Sequence, residues 1–269
     1  MLLFVWILFL SCAKFFSDLQ RIRSLLGQTE SDDELKEMLQ SISAQKQPIM
    51  EKSLDRPKAE SVTEFLKASQ RAILEQDDIA LTAYLKQASV GLSQPVLLEE
   101  FIGPLMRWVG EAWHEGTLRV AQEHIASASV RAFLIRLRHS QQITPGASTI
   151  GVATPAGESH EIGALMASVA ANAEGWRTLY FGPSLPASEL AHAAQRSNVR
   201  AVALSVVRPS EQASWIQELL DLRQFLPDSI SMIIGGLGAS ANRLQLESPG
   251  LRCVNTLGEF QLQLRKIAA

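Results

Sequence analysis

The sequence predicts an α + α/β protein in which a four-helix bundle cap precedes a doubly wound sheet of five parallel strands. Two patterns support this prediction. Helical periodicity with short connections runs over residues 59–140, and short apolar segments alternate with helical ones over residues 148–269. Residues 1–58 combine an apolar start, helical segments and a linker. The sequence therefore divides into three predicted domains: 1–58, 59–140 and 148–269.

The composition is that of a globular chain with no strong bias toward nucleic acid. Of the 269 residues, 46% are hydrophobic and 20% are charged, which is typical of a folded protein. The net charge of −3 argues against a surface broadly dedicated to nucleic acid. Cys12 and Cys253 lie far apart and match no zinc spacing, so a reduced, cytoplasmic chain is predicted.

Residues 1–13 are apolar throughout but shorter than the roughly 20 residues that span a bilayer. They have the length of a signal-peptide core without the basic residues that precede one. Secretion or anchoring, a misplaced start, and a helix that packs on a neighbour remain alternatives, and membrane association is not favoured. Residues 15–43 are predicted to be helical. Residues 44–59 contain Pro48 and Pro57 without an apolar period, which predicts a linker.

The bundle follows from the spacing of apolar residues. The first helix places Phe65, Leu66 and Ile73 on one face, in a segment that begins near residue 59. Gly116-Thr117 predicts the turn before the last helix. The other three helices are predicted from Ile79 to Ala88, from Ser93 through Trp108 toward Trp113, and from Val120 to Arg138.

After a short linker at residues 141–148, the chain alternates between strand and helix. The strands are predicted at 150–154, 178–181, 201–207, 231–234 and 252–255. The helices are predicted at 161–174, 187–196, 210–225 and 239–246, with a last one to the end. This alternation is typical of a parallel, flavodoxin-like sheet.

Chemistry-bearing residues follow three of the predicted strands. His160 and Gly163 come after the first strand, Ser205 lies near the carboxyl end of the third, and Gly235-Gly236 follow the fourth. Because the carboxyl ends of parallel strands meet at one edge, these residues predict a narrow crevice with an imidazole at its mouth. That imidazole can be a general base, a metal ligand or only a hydrogen-bonding group of the loop. The phosphate-binding motifs GxGxxG and GxxxxGK[ST] do not occur in the sequence.

The pattern His160-x-x-Gly163, Ser205-x-Val207 and Gly235-Gly236 resembles that of the cobalamin-binding domain family. The resemblance covers about residues 148–269. It implies that His160 ligates cobalt from the lower face and displaces the dimethylbenzimidazole base. By the same resemblance, the base and its nucleotide tail fill the slot beside Ser205 and Gly235-Gly236.

Two residues depart from the family pattern. Glu158 stands where many members have Asp, and Val207 stands where many have Leu. Glu158 can still accept a hydrogen bond and tune the imidazole of His160 if its longer arm reaches. Val207 is a packing substitution.

A second motif lies in the bundle, where Trp113-His114 precede Glu123-His124 across the predicted turn. Taken singly, such a tryptophan is usually a core residue and such a pair usually lies on the surface. Together they resemble the helical cap of the cobalamin-dependent photoreceptor regulators of the CarH type. That resemblance implies that Trp113 shields an upper 5′-deoxyadenosyl group and that Glu123 and His124 contact it or the corrin. It also implies that His114 ligates cobalt once light has cleaved the cobalt–carbon bond.

The combined resemblance implies a regulatory sensor and not an enzyme, with adenosylcobalamin as the cofactor and methylcobalamin as the alternative form. Its expected output is a change in homo-oligomer or in contacts with a transcription-factor partner. Relatives of this type carry an N-terminal MerR-type DNA-binding domain. Residues 1–58 are too few for that domain and read as a remnant at most, so direct DNA binding is not expected.

Two other functions compete with the sensor. One is a corrinoid protein that carries methyl groups for a methyltransferase system, and the other is a domain that binds no cofactor. Trp113-His114 favour the sensor, because a methyl carrier needs its upper face open to a partner active site.

Overall fold

The computed structural model describes residues 61–207, 214–246 and 249–268. The chain divides into two compact units, residues 1–58 and 59–269, and the described residues lie in the second. The predictions for the N-terminal 58 residues therefore fall outside the described residues. Within the described ranges, no helix combines the length and the apolar character needed to cross a membrane.

The four helical segments of the bundle are present, and we call them the cap. They are α1 (Val62–Leu74), α2 (Asp78–Gly91), a π-helical segment (Val96–Ile102) that continues into α3 (Gly103–His114), and α4 (Val120–Ser140). The start of α1 is fixed by Ser61 and Glu64, whose side chains each accept a hydrogen bond from the other's backbone N–H. The side chain of Asp77 caps α2 by accepting a hydrogen bond from the backbone N–H of Ala80.

The third predicted helix is not α-helical throughout. The backbone N–H of Gly103 donates to the carbonyl of Leu98, five residues back. Pro104 follows directly, and in a regular α-helix its ring would meet the carbonyl four residues earlier while offering no N–H. The wider π turn accommodates the proline, and helices of this kind are frequent at functional sites.

The second half forms one parallel sheet with helices on both faces. Its strands are β1 (Thr149–Pro155), β2 (Arg177–Leu185), β3 (Ala201–Ser205), β4 (Ser231–Gly235) and β5 (Leu251–Val254). The helices are α5 (Ile162–Ala173), α6 (Ala187–Arg196), α7 (Ser214–Phe225), α8 (Leu237–Ala241), α9 (Arg243–Leu246) and α10 (Leu257–Ala268). The strand order β2-β1-β3-β4-β5, parallel throughout, confirms the predicted flavodoxin-like class.

Three predicted boundaries were wrong. The strand predicted over 201–207 ends at Ser205, and the carbonyl of the next residue, Val206, accepts from the N–H of Gly238 at the start of α8. The helix predicted over 239–246 divides at Asn242 into α8 and α9. The second strand extends to Leu185, past the predicted end, with register shifts against β1. The helix predicted from residue 210 is described from Ser214 onward.

The sheet has a different hydrophobic core on each face. Alternate residues along each strand divide between the two cores: Ala203 and Ile233 pack on one face, and Val202 and Ile234 on the other. The first core is continuous with the interior of the cap through α5 and α10, whereas the second lies under α6 and α7. The cap is therefore packed on one side of the sheet.

Contacts along α4 show how the cap stands on the sheet. The side chain of Arg131 meets Glu161 at the start of α5, and the carbonyl of Arg138 accepts from the amide of Asn172 at its end. Helix α4 thus runs parallel to α5 and beside it. At ~1.5 Å per residue, residues 120–130 extend about 16 Å past the level of the start of α5, which follows the carboxyl edge of the sheet.

Candidate functional site

The loop after β1 is folded tightly back on itself. The N–H of Glu158 bonds the carbonyl of Pro155, with Gly157 between them at φ +81°. The hydroxyl of Thr154 donates to the carbonyl of Glu158 and accepts from the N–H of Ser184 at 2.8 Å. These bonds turn the side chain of Glu158 inward, where only 4% of it is exposed.

The carboxylate of Glu158 organises the residues at the mouth of the crevice. Its Oε1 accepts from Nδ1 of His160 at 2.5 Å and from the backbone N–H of His160 at 2.9 Å. Its Oε2 accepts from the N–H of Val207 at 3.0 Å. The longer arm of glutamate therefore reaches the imidazole. With Nδ1 engaged, Nε2 is the nitrogen that can bind a metal, and the His160 side chain is 46% exposed.

Beside this loop, three glycines line a slot between strands and helices, and each lets a neighbouring residue approach its backbone closely. A Cβ at Gly163 would lie 2.4 Å from the hydroxyl oxygen of Ser205, and one at Gly235 would lie 3.3 Å from a methyl of Val254. Gly236 has φ +104°, and a Cβ there would lie 2.2 Å from the carbonyl oxygen of Val206. The structure thus brings Gly163, Ser205 and Gly235-Gly236 together around one opening.

The slot leads into a cavity of about 430 Å³. Its walls come from α5, from the ends of β3 and β4, and from residues 254–260. The cap supplies the remaining wall through Glu99, Gly103 and Arg107. A pocket of this volume, apolar inside with few polar groups at the rim, suits a flat organic ligand.

The cap residues singled out in the sequence lie at the end of the cap that extends past the sheet. Trp113 is 49% exposed and His114 is exposed, both at the end of α3. Near the start of α4, Glu123 accepts from Ser127 at 2.6 Å and lies 2.5 Å from Nδ1 of His124. These four residues therefore belong to one end of the bundle, apart from the crevice residues.

The distance between the two groups follows from α4. His124 and Arg131 are two turns apart and lie on the same side of the helix. Arg131 contacts Glu161, the residue after His160. At ~1.5 Å per residue, His124 stands about 10 Å past the loop that carries His160. The cap residues at the start of α4 therefore stand beyond the loop that carries His160.

Sequence reasoning missed a polar cluster that joins the cap to this loop. Glu161 accepts from Nε of Arg131 at 2.6 Å and from the hydroxyl of Tyr180. The guanidinium of Arg138 lies over the ring of Tyr180, 5.8 Å from its centre. These residues are distant in sequence, and only the position of Glu161 directly after His160 could have drawn attention to it. The cluster connects α4 of the cap to the start of α5.

Burial, and next the hydrogen bond to Glu161, raise the pKa of the Tyr180 phenol well above its usual value. A raised pKa in the folded state contributes stability that is complete below the ordinary tyrosine pKa of about 10 and is lost as the pH rises beyond it. We therefore expect the free energy of unfolding to fall above that pH and to fall less in Tyr180→Phe. Urea unfolding at a series of alkaline pH values measures this. An identical fall in the variant would contradict the assignment.

The fold and the site define a class: α/β proteins with a histidine at the carboxyl edge of the sheet, a glycine-lined slot and a helical cap. Two family models match, each described as a B12 binding domain, over residues 148–259 and residues 66–138. The HTH-type transcriptional repressors CarH and CarA of Myxococcus xanthus are each 31% identical to this chain. The chain therefore belongs to the family of these two repressors and contains both kinds of B12 binding domain.

The extent of these matches differs. The alignment with CarH covers 71% of this chain and 63% of CarH, and that with CarA covers 77% and 68%. The chain thus spans about two thirds of the length of either relative. The monomethylamine corrinoid protein of Methanosarcina barkeri has a TM-score of 0.62 at 16% identity, covering 77% of this chain and 100% of that one. That likeness shows the shared fold.

Proposed function

We propose that this protein is a sensor, not an enzyme, that binds adenosylcobalamin between the cap and the α/β domain and regulates transcription in response to light. The carboxylate–imidazole pair of Glu158 and His160, set above a side-chain-free slot, is the observation that supports this proposal most directly. The transcriptional part rests on the similarity to the two repressors.

The residues present fit a corrinoid. Nε2 of His160 would be a ligand of the cobalt, and the carboxylate of Glu158 accepts from Nδ1 and would make the imidazole a stronger donor. Gly163 and Gly236 add no side chains to the lining of the cavity, which would leave its volume for a flat base with its nucleotide tail. Bound cobalamin would supply a cobalt–carbon bond that visible light breaks.

The cap residues have separate parts in this proposal. Trp113 presents an apolar, half-exposed surface that would cover the bound group and exclude water from it. Glu123 and His124, which are hydrogen-bonded to each other, would offer polar contacts to the bound group. His114 offers a second imidazole for the vacated upper position. A change in these contacts would move the cap, which is the element that could alter contacts with a second copy or a transcription-factor partner.

The alternative is a corrinoid protein that carries methyl groups, since the M. barkeri protein shares the fold. A carrier must open its upper face to a partner enzyme. Trp113 and His114 at that end of the cap favour a closed, self-contained site instead.

We expect purified protein to bind adenosylcobalamin in the dark and to change its visible spectrum after green light. Wild type should give a stable photoproduct with an imidazole on each side of cobalt. His114→Ala should respond to light without reaching that stable spectrum. His192→Ala, an exposed histidine on α6, is the matched control and should behave as wild type.

Three results would change the conclusion. Binding without any photochemical change would contradict light sensing and favour a carrier or a sensor of cobalamin itself. A stable wild-type photoproduct in His114→Ala would contradict the role of His114. A colourless protein after incubation and desalting would overturn the cofactor proposal.

A further inference from the structure

The cap forms part of the cavity that the corrinoid tail would enter. Glu99, Gly103 and Arg107 follow one another at intervals of four along the third helical segment, and all three line the cavity. A Cβ at Gly103 would lie 3.7 Å from the terminal methyl of Met166 on α5, so the cap lies close to α5 at this point. The third helical segment of the cap therefore serves as a wall of the cavity, opposite the sheet.

Glu99 fastens this wall to the α/β domain. Its Oε1 accepts from the backbone N–H of Leu257 at 2.6 Å, at the first residue of α10. The first N–H groups of a helix have no partner within it and favour a negative charge, so this contact is well placed. The carboxylate of Glu99 is thus held by the start of α10.

Arg107 is one turn further along the same line and carries the positive charge of the cavity wall. In the described part of the chain it is the cation among the lining residues, and no ion pair or side-chain hydrogen bond involves it. Its side chain is exposed at the rim. The rim therefore offers a planar guanidinium whose five donors have no partner among the described residues.

We propose that Arg107 binds the phosphodiester of the corrinoid's nucleotide tail, so that the cap selects complete corrinoids over those that lack the nucleotide. The inference rests on the cobalamin binding proposed above. A phosphodiester carries one negative charge, and guanidinium is the side chain best shaped to bind phosphate oxygens in pairs. The base would occupy the apolar interior while its phosphate meets the polar rim.

The test compares a complete corrinoid with a truncated one. Hydroxocobalamin and aquocyanocobinamide both present cobalt to His160, but only the first carries the nucleotide and its phosphate. Arg107→Gln should weaken binding of hydroxocobalamin about 10-fold, since a partly exposed charged hydrogen bond lies at the low end of its range. Binding of aquocyanocobinamide should not change. Arg107→Lys should recover part of the loss.

Arg71→Gln is the matched control, because Arg71 is an exposed arginine of the cap on α1, away from the cavity lining. Equal weakening of both corrinoids in Arg107→Gln would show a distorted cap and overturn the inference, as would unchanged binding of both. Failure of wild type to bind either corrinoid would instead overturn the proposed cofactor site.

Discussion

His160→Ala is expected to lower the affinity for cobalamin by more than about 100-fold, because even residues that only orient a metal ligand are worth roughly 10–100-fold. The variant removes the imidazole whose Nε2 is presented at the carboxyl edge. Its spectrum should also lose the features of a nitrogen ligand below cobalt. Titration of the protein into hydroxocobalamin, followed in the visible range, measures both effects.

Glu158→Gln separates ligation from orientation. The amide keeps the size of the side chain but gives His160 Nδ1 a neutral partner in place of a carboxylate. Affinity should fall by about 10–100-fold while the nitrogen-ligand spectrum persists at saturation. Far-UV circular dichroism must match wild type, because Glu158 is buried and also accepts from Val207.

For the His160→Ala variant, an affinity and a spectrum equal to those of wild type would show that another residue ligates cobalt.

The architecture could be predicted because its signals are local. Strands β3 and β4 are short apolar runs buried on both faces, and each ends at small residues. Parallel strands place their carboxyl ends at one edge whatever the details of packing, so His160, Ser205 and Gly235-Gly236 had to approach each other. The sequence did not establish whether the side chain of Glu158 is long enough to contact His160. In the folded loop, its Oε1 accepts a hydrogen bond from Nδ1 of His160.

The remaining features depend on docking between distant segments. Arg131, Glu161 and Tyr180 meet only because α4 lies beside α5, an arrangement without a sequence pattern. The same docking turns Arg107 toward the cavity instead of toward solvent alone. The π-helical segment was not predicted, although Pro104 stands in the interior of the helix predicted from Ser93 through Trp108, where a proline disturbs a regular α-helix.

Gly236→Ala is expected to destabilise the protein by at least about 3 kcal/mol, since a residue held in such a backbone conformation costs ~1–3 kcal/mol before any clash. Gly236 combines φ +104° with contact to the carbonyl of Val206, where an added Cβ would lie at 2.2 Å. That carbonyl also accepts from the N–H of Gly238 at the start of α8, so relieving the clash would break this hydrogen bond. Urea unfolding at neutral pH measures the loss.

Gly110→Ala supplies the control with the opposite sign. Gly110 lies within α3, and a Cβ there would have no heavy atom within 4 Å. Alanine is the better helix former by about 0.5–1 kcal/mol, so this variant should gain stability. A loss from Gly236→Ala no larger than 1 kcal/mol would mean that the β3 and β4 loops can separate without penalty. The slot would then be a flexible opening, and its shape could not select the tail of a corrinoid.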